Sequence, residues 1–276
     1  MADATGRRGG GVQAQTAMRH VKQIALLGLL GMALSGCLGS QSLNGTDPTI
    51  TGSIGAASSA TPSVKETAKL GRKWQADPGN VRLGLAYAER LKKLGQVNDQ
   101  LNVLKVLVER HPRDNRLRDI YGKALLAAGR PVPAEVQFRT MIRQGRNDWK
   151  AYNALGSALA DQGRFKEARS AYDEALKRSP GNPKIINNIA LSYILEGNPA
   201  RAEKMLRTAL QKVPQEDPAA KKLRQNLALA LGLQGRFKEA RYVASQDLSP
   251  AEVEENMAYL RRMLGATDTW KELQKG

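Results

Sequence analysis

The sequence predicts an all-α fold, a solenoid of stacked helix-turn-helix repeats closed by a capping helix at each end. Three observations predict it. From Trp149 to Asn182, Tyr152, Leu155, Gly156 and Leu159 fall at helical spacing, Gly163 breaks the pattern, and Phe165, Ala168, Tyr172 and Ala175 resume it before Pro180 closes the unit. The unit recurs at a fixed period: Gly95, Gly129, Gly163 and Gly197 are each 34 residues apart, and Gly235 follows after 38. Pro112, Pro180 and Pro214 keep the same grid, as do Ala134, Ala168, Ala202 and Ala240, and the hexapeptide Gly163 to Ala168 returns unchanged as Gly235 to Ala240. Each unit alone leaves an apolar face bare, so only stacking of neighbours buries a continuous core.

Taken in order, residues 1–36 stand apart from that fold. Arg19, His20 and Lys22 precede an apolar run of 11 residues, Ile24 to Leu34. That is too short to span a bilayer, which needs about 20 residues, but suits the core of an export signal. Met18 is an alternative start. The run ends in Leu34-Ser35-Gly36-Cys37, which resembles the bacterial lipobox. The resemblance implies cleavage before Cys37 and acylation of its sulfur, and so a lipid membrane as one partner. Each buried methylene contributes about 0.8 kcal/mol, so several acyl chains hold a protein firmly. Leu38 follows the cysteine where an Asp would, by the same resemblance, signal inner-membrane retention, which implies the periplasmic face of the outer membrane of a diderm bacterium. From Leu38 to Ser63 the chain is rich in Ser, Gly, Thr and Ala, a tether of 26 residues with a root-mean-square reach of roughly 28 Å.

A helix is expected from about Ser63 to Ala76, with Leu70 and Trp74 turned toward the first repeat and Asp77-Pro78-Gly79 ending it. The repeats then occupy residues 81–114, 115–148, 149–182, 183–216 and 221–254, within a domain taken as 64–276, and Asp217 to Ala220 is a four-residue insertion. Gln100, Arg146 and Asp247 depart from the pattern, standing where a small residue, a proline and an alanine recur. After the repeats, Ser249, Pro250 and Glu252 read as N-cap, N1 and N3 of a capping box. Val253, Met257, Leu260 and Leu264 then share one face of a helix over about 250–264, with Thr267 to Gly276 frayed. The order of large residue, Leu and Gly, then Ala, aromatic, Ala and Pro resembles the tetratricopeptide repeat. That resemblance implies a right-handed superhelical solenoid that binds protein partners.

Composition excludes more than it assigns. Lys and Arg number 43 against 26 Asp and Glu, a formal charge of +17. The cations are spread along the repeats without a basic block or a nucleic-acid-binding signature, so they read as solvated helix faces and no nucleic acid is expected as a partner. The single cysteine, Cys37, permits no disulfide within a monomer. His111 precedes Pro112 at the end of a helix, where a surface role is expected. No catalytic set, phosphate loop or metal-ligand spacing appears, so no cofactor and no enzyme activity are expected, and function falls to a surface.

In the resembled family, the second, fifth, ninth and twelfth positions of successive first helices line a groove. Carried over, these are Lys150, Asn153 and Ser157, then Lys184, Asn187, Leu191 and Ile194, then Lys222, Gln225 and Leu229. Asn153, Asn187 and Gln225 offer both donors and acceptors to an extended backbone, and the lysines favour acidic groups. Leu191, Ile194, Leu195, Leu229 and Leu233 are candidates for an apolar floor; the alternative is that they pack helix on helix or against the C-terminal helix. Of the clamp used by chaperone cochaperones, Asn188 and Lys222 match, whereas Asn153, Ser157 and Asn226 do not.

Gln225-Asn226-Leu227-Ala228-Leu229, Gly235-Arg236-Phe237 and the segment from Asp247-Leu248-Ser249-Pro250 to Tyr259-Leu260-Arg261 resemble the repeat lipoprotein of the tight-adherence (Flp) pilus assembly system. That resemblance implies a non-enzymatic assembly factor, a pilotin-like partner of the outer-membrane secretin or of another pilus component. The competing expectation is a periplasmic adaptor that docks peptidoglycan hydrolases.

Overall fold

The computed structural model describes residues 63–273, with side chains described as far as Gly265. The expected export signal, Cys37 and the expected tether up to residue 62 lie outside the described residues. Twelve α-helices account for nearly all of the rest. They are α1 (Val64–Ala76), α2 (Val81–Lys93), α3 (Val97–Arg110), α4 (Asn115–Ala127), α5 (Pro131–Arg143), α6 (Trp149–Ala160), α7 (Phe165–Arg178), α8 (Pro183–Glu196), α9 (Pro199–Leu210), α10 (Pro218–Leu233), α11 (Phe237–Ala244) and α12 (Pro250–Leu273). Among the described residues there is no strand.

The period of 34 is written into the helix ends as well as the core. Asn80, Asp114, Asp148 and Asn182 stand one repeat apart and cap α2, α4, α6 and α8. Their side-chain oxygens accept from the backbone N–H of Leu83 at 3.1 Å, Leu117 at 3.2 Å, Ala151 at 2.8 Å and Lys184 at 3.0 Å. Each cap satisfies an N–H that the first turn leaves without an intrahelical partner. At the other end of these helices the turn glycine supplies a left-handed residue, as at Gly129 (φ 68°) and Gly163 (φ 73°). The following N–H then reaches back five residues, Arg130 to Leu125 and Arg164 to Leu159, closing a Schellman motif. The insertion Asp217 to Ala220 is a helical turn: Asp217 caps α10, accepting from Ala219 N–H at 2.8 Å, and Pro218 takes N1.

Two glycines set the distance between paired helices. A Cβ at Gly122 would stand 2.6 Å from Phe138, and one at Gly156 would collide with the Tyr172 ring. The aromatic side chain of the second helix thus lies directly on the backbone of the first, and both rings are buried. Overpacking such a contact costs typically about 1–3 kcal/mol.

The described helices form two compact units that divide within α8, between Ser192 and Tyr193. In the first, α1 closes the N-terminal end: Trp74 meets the Tyr87 ring at 5.9 Å between centroids and packs on the cluster of Leu91, Leu104, Leu107 and Leu117. Leu70 is half-buried. His111 does more than the surface role expected of it, since its Nε2 lies 2.7 Å from the Gly79 carbonyl and ties the end of α3 to the loop before α2. Arg146, standing where a closing proline recurs, bonds Asp148 at 3.1 Å and the Asn115 carbonyl at 3.2 Å.

In the second unit α10 is enclosed by α9, α11 and α12. The capping box forms, with Ser249 N–H and Oγ at 2.8 and 2.7 Å from a Glu252 carboxylate oxygen. Val253, Met257 and Leu260 are buried, and Leu260 covers Gly232, where a Cβ would stand 2.5 Å from its Cδ1. α12 runs to Leu273 rather than ending near Leu264, and Gly265 does not adopt the left-handed backbone that Gly95, Gly129, Gly163, Gly197 and Gly235 supply after the first helices of the repeats. Asp247, standing where an alanine recurs, accepts two hydrogen bonds from Arg224, at 2.7 and 2.6 Å.

The repeated hexapeptide is explained by one ionic cluster built twice. In the first unit, Glu135 accepts from Arg139 Nε at 2.7 Å, Gln162 Nε2 at 2.8 Å and Arg164 Nη1 at 2.7 Å, and Arg164 turns its other side to Glu167. In the second, Glu203 accepts from Arg207 at 2.8 Å, Gln234 at 2.9 Å and Arg236 at 2.6 Å, and Arg236 turns to Glu239. Each cluster clamps one repeat to the next.

Candidate protein-binding surface

The candidate residues sit on the first helices of their repeats. In the first unit, Lys150, Asn153 and Ser157 lie on α6, and Lys184, Asn187, Asn188 and Leu191 on α8. Asn188 Nδ2 donates to Asn153 Oδ1 at 3.0 Å, so the amide pairing runs from the fifth position of one repeat to the sixth of the next. Both side chains are half-buried. Neither the Asn153 amide group nor the Asn188 carbonyl oxygen is consumed by that bond, and each amide can still serve a peptide backbone. Ser157 is engaged within the fold: its Oγ donates to the Asn153 carbonyl at 3.2 Å and accepts from Tyr172 at 3.4 Å. Asn187 and Leu191 are half-buried.

Lys150 and Lys184 are exposed, and neither has a carboxylate within ion-pair distance among the described residues. Lys150 Nζ lies 5.9 Å from the centroid of the neighbouring Trp149 ring. Two residues belong with them that sequence reasoning missed. Arg82 and Arg116 are the second residues of α2 and α4, are exposed, and likewise have no carboxylate partner among the described residues. The signal was the same period, since 82, 116, 150 and 184 are each 34 apart. Four cations in the first turns of four helices oppose the helix dipole, which favours acidic residues there by about 0.3–1 kcal/mol each. Helix stability therefore does not account for them.

In the second unit Lys222 is exposed, and Gln225 and Asn226 are half-buried, all on α10. Two members of the expected apolar floor are core residues instead. Ile194 is 2% exposed and Leu229 is 8% exposed. Ile194 continues the stripe Ile189, Ala190 and Tyr193 that turns inward along α8, and Leu229 lies on a helix covered by three neighbours, so the alternative of helix-on-helix packing holds for both. Leu191, Leu195 and Leu233 are half-buried.

Among the described residues no helix is long and apolar enough to cross a membrane, and no group of three or more His, Cys, Asp or Glu side chains converges as a metal site would require.

Models described as tetratricopeptide repeat match residues 122–183, 159–227 and 224–244. A TPR repeat-containing protein of Pseudomonas aeruginosa is 32% identical over 143 residues, 51% of this chain. The chain spans about a quarter of the length of that relative, 24%. Among solved structures, a tetratricopeptide repeat protein from Parabacteroides merdae aligns with a TM-score of 0.59 at 13% identity, over 71% of this chain and 77% of that one. A thermophilic TPR protein from Thermus thermophilus aligns with a TM-score of 0.52 at 22% identity, over 67% and 98%. PilW, described as a widely conserved type IV pilus biogenesis factor, aligns with a TM-score of 0.53 at 22% identity, over 69% and 89%. These likenesses agree with the helix pairs in showing a tetratricopeptide-repeat fold.

Proposed function

We propose that this tetratricopeptide-repeat protein is a non-enzymatic scaffold, held at the outer membrane through acylated Cys37, that takes an acidic segment of a pilus-assembly component, a secretin foremost, along its first helices. The observation that carries the reading is the set of cations Arg82, Arg116, Lys150 and Lys184, without a carboxylate partner among the described residues and placed where they cost helix stability, beside the Asn153–Asn188 amide pair. Cations without a carboxylate partner attract acidic groups and speed their encounter, while the amides fix a backbone in register. The pilus assignment is supported by the tight-adherence resemblance of the C-terminal segments, and PilW, a pilus biogenesis factor, has the same fold.

The test is crosslinking and recovery of the partner from cells carrying the full chain. Lys150→Glu with Lys184→Glu should lower recovery of the secretin about tenfold at low salt, with a smaller difference at high salt because exposed charges are screened. Lys166→Glu, on the exposed side of α7, should leave recovery unchanged. Cys37→Ser should release the protein from the membrane pellet. Equal loss from both faces would sink the groove, and recovery of a peptidoglycan hydrolase in place of the secretin would favour the adaptor reading.

A further inference from the structure

The second unit holds a cleft of about 380 Å³ between α9, α10 and α11, within the range of small-ligand pockets. None of its lining residues is a groove candidate. Its floor is apolar, made by Leu210, Val213, Ala220, Leu227 and Val243, and the Tyr242 ring stands at its rim, 72% exposed.

The cleft is open because the fifth repeat departs from the third at three matched positions. In the third repeat Arg178 lies over the Tyr152 ring at 4.1 Å and bonds Asn147 and Glu174, covering the junction. In the fifth, Pro250 takes the place of Arg178 and begins α12, Arg224 takes the place of Tyr152, and Tyr242 takes that of Ser170. Arg224 turns to Asp247. Among the described residues no matched arginine then lies over this junction, and an aromatic ring is added beside it.

The charges of the cleft say what fits. Arg224 is paired with Asp247, Arg207 with Glu203 and Glu239, and Glu239 also with Arg236. On a chain of formal charge +17, this patch has no uncompensated charge to offer, and an ionic occupant would have to displace one of its own pairs. Gln215 and Gln246, both exposed on the lining, offer a donor and an acceptor to a peptide backbone, which a fatty acyl tail cannot use. We propose that the cleft is a second docking site, which takes one large apolar side chain from an uncharged segment of a partner protein. An exposed aromatic beside an apolar pocket is the usual anchor of such a contact.

The test uses the full chain with labelled methyl groups and capped Gly-Ser-X-Ser-Gly pentapeptides as probes, X being phenylalanine, leucine, glutamate or lysine. The phenylalanine and leucine peptides should shift the Leu210, Val213, Leu227 and Val243 methyls saturably, and the charged peptides should not. Tyr242→Ala, an exposed position that leaves the core untouched, should weaken the phenylalanine peptide about two- to tenfold. Val213→Trp, which fills the cleft, should abolish the shifts. Charged peptides acting equally, shifts confined to other methyls, or indifference to Tyr242→Ala would overturn the proposal. So would octyl glucoside moving the same methyls more strongly than the phenylalanine peptide, since the occupant would then be an alkyl chain. Lys150→Glu with Lys184→Glu should leave these shifts unchanged, so failure of the groove and failure of the cleft are told apart.

Discussion

Glu135 is a nearly buried carboxylate that accepts from three side chains, and its charge explains why it stays in place. Burial alone would raise its pKa, but hydrogen bonds from Gln162 and Arg139 and the charges of Arg139 and Arg164 hold it below the usual glutamate range. Its folded pKa is therefore depressed relative to the unfolded chain. The stability it contributes is present above the unfolded value near 4.5 and is lost as the pH falls through the folded one. Glu135→Gln keeps the shape and removes the charge. Thermal melts at pH 7 should show it less stable by about 1.5–3 kcal/mol, the range for hydrogen bonds to charged groups. The gap should narrow as the pH falls below 4.5 and close only once it has passed through the depressed folded pKa. No gap at pH 7 would mean that shape, not charge, holds the cluster, and a gap independent of pH would mean that the amide donor of the variant, not the lost charge, disrupts it. The hexapeptide that carries Arg164 was visible in the sequence by its repetition, but Glu135 was not. It lies 29 residues away on another helix, and only folding brings the two together.

At the scale of the helix, the capping residues decide where each first helix begins. Asp114 accepts from the N–H groups of both Arg116 and Leu117, so Asp114→Ala should cost about 1 kcal/mol, within the range of about 0.5–2 for lost caps. Arg130, at the same place before α5, makes no capping bond through its side chain, and Arg130→Ala should change urea-unfolding stability by less than about 0.5 kcal/mol. Equal effects would remove the caps from the account of the fold. The turn glycines, the helix pairs and the Ser249–Glu252 box were legible because each is a local pattern of residue types. The Asx caps at 80, 114, 148 and 182 are legible on the same period, beside the stronger glycine and alanine signals. The burial of Ile194 and Leu229 was not legible. Whether a leucine on a first helix meets a ligand or a neighbouring helix depends on how many helices cover it, and no local pattern records that number. The extension of α12 past Gly265 was not legible either, since the residue type leaves a glycine's backbone angle open.

At the scale of the whole chain, helix contacts within each unit join elements near one another in sequence, as α2 with α3, α4 with α5 and α10 with α11. Stability in such an array is approximately a sum of repeat and nearest-neighbour terms. The two ionic clusters provide a direct measure of that. Glu135 and Glu203 make the same three kinds of bond, to an Arg four residues on and to a Gln and an Arg of the next repeat, and they share no partner. The Glu203 carboxyl is likewise held below its usual range: burial would raise it, but Arg207, Gln234 and Arg236 outweigh burial. Glu203→Gln should therefore reproduce the loss and the pH dependence of Glu135→Gln. The double variant should lose the sum of the two within about 0.5 kcal/mol, as independent sites do. Urea unfolding of the four proteins, wild type, each single variant and the double, completes the cycle. A double variant that loses much less than the sum would show that the first substitution already uncouples the second cluster, and that the repeats transmit strain over more than one junction.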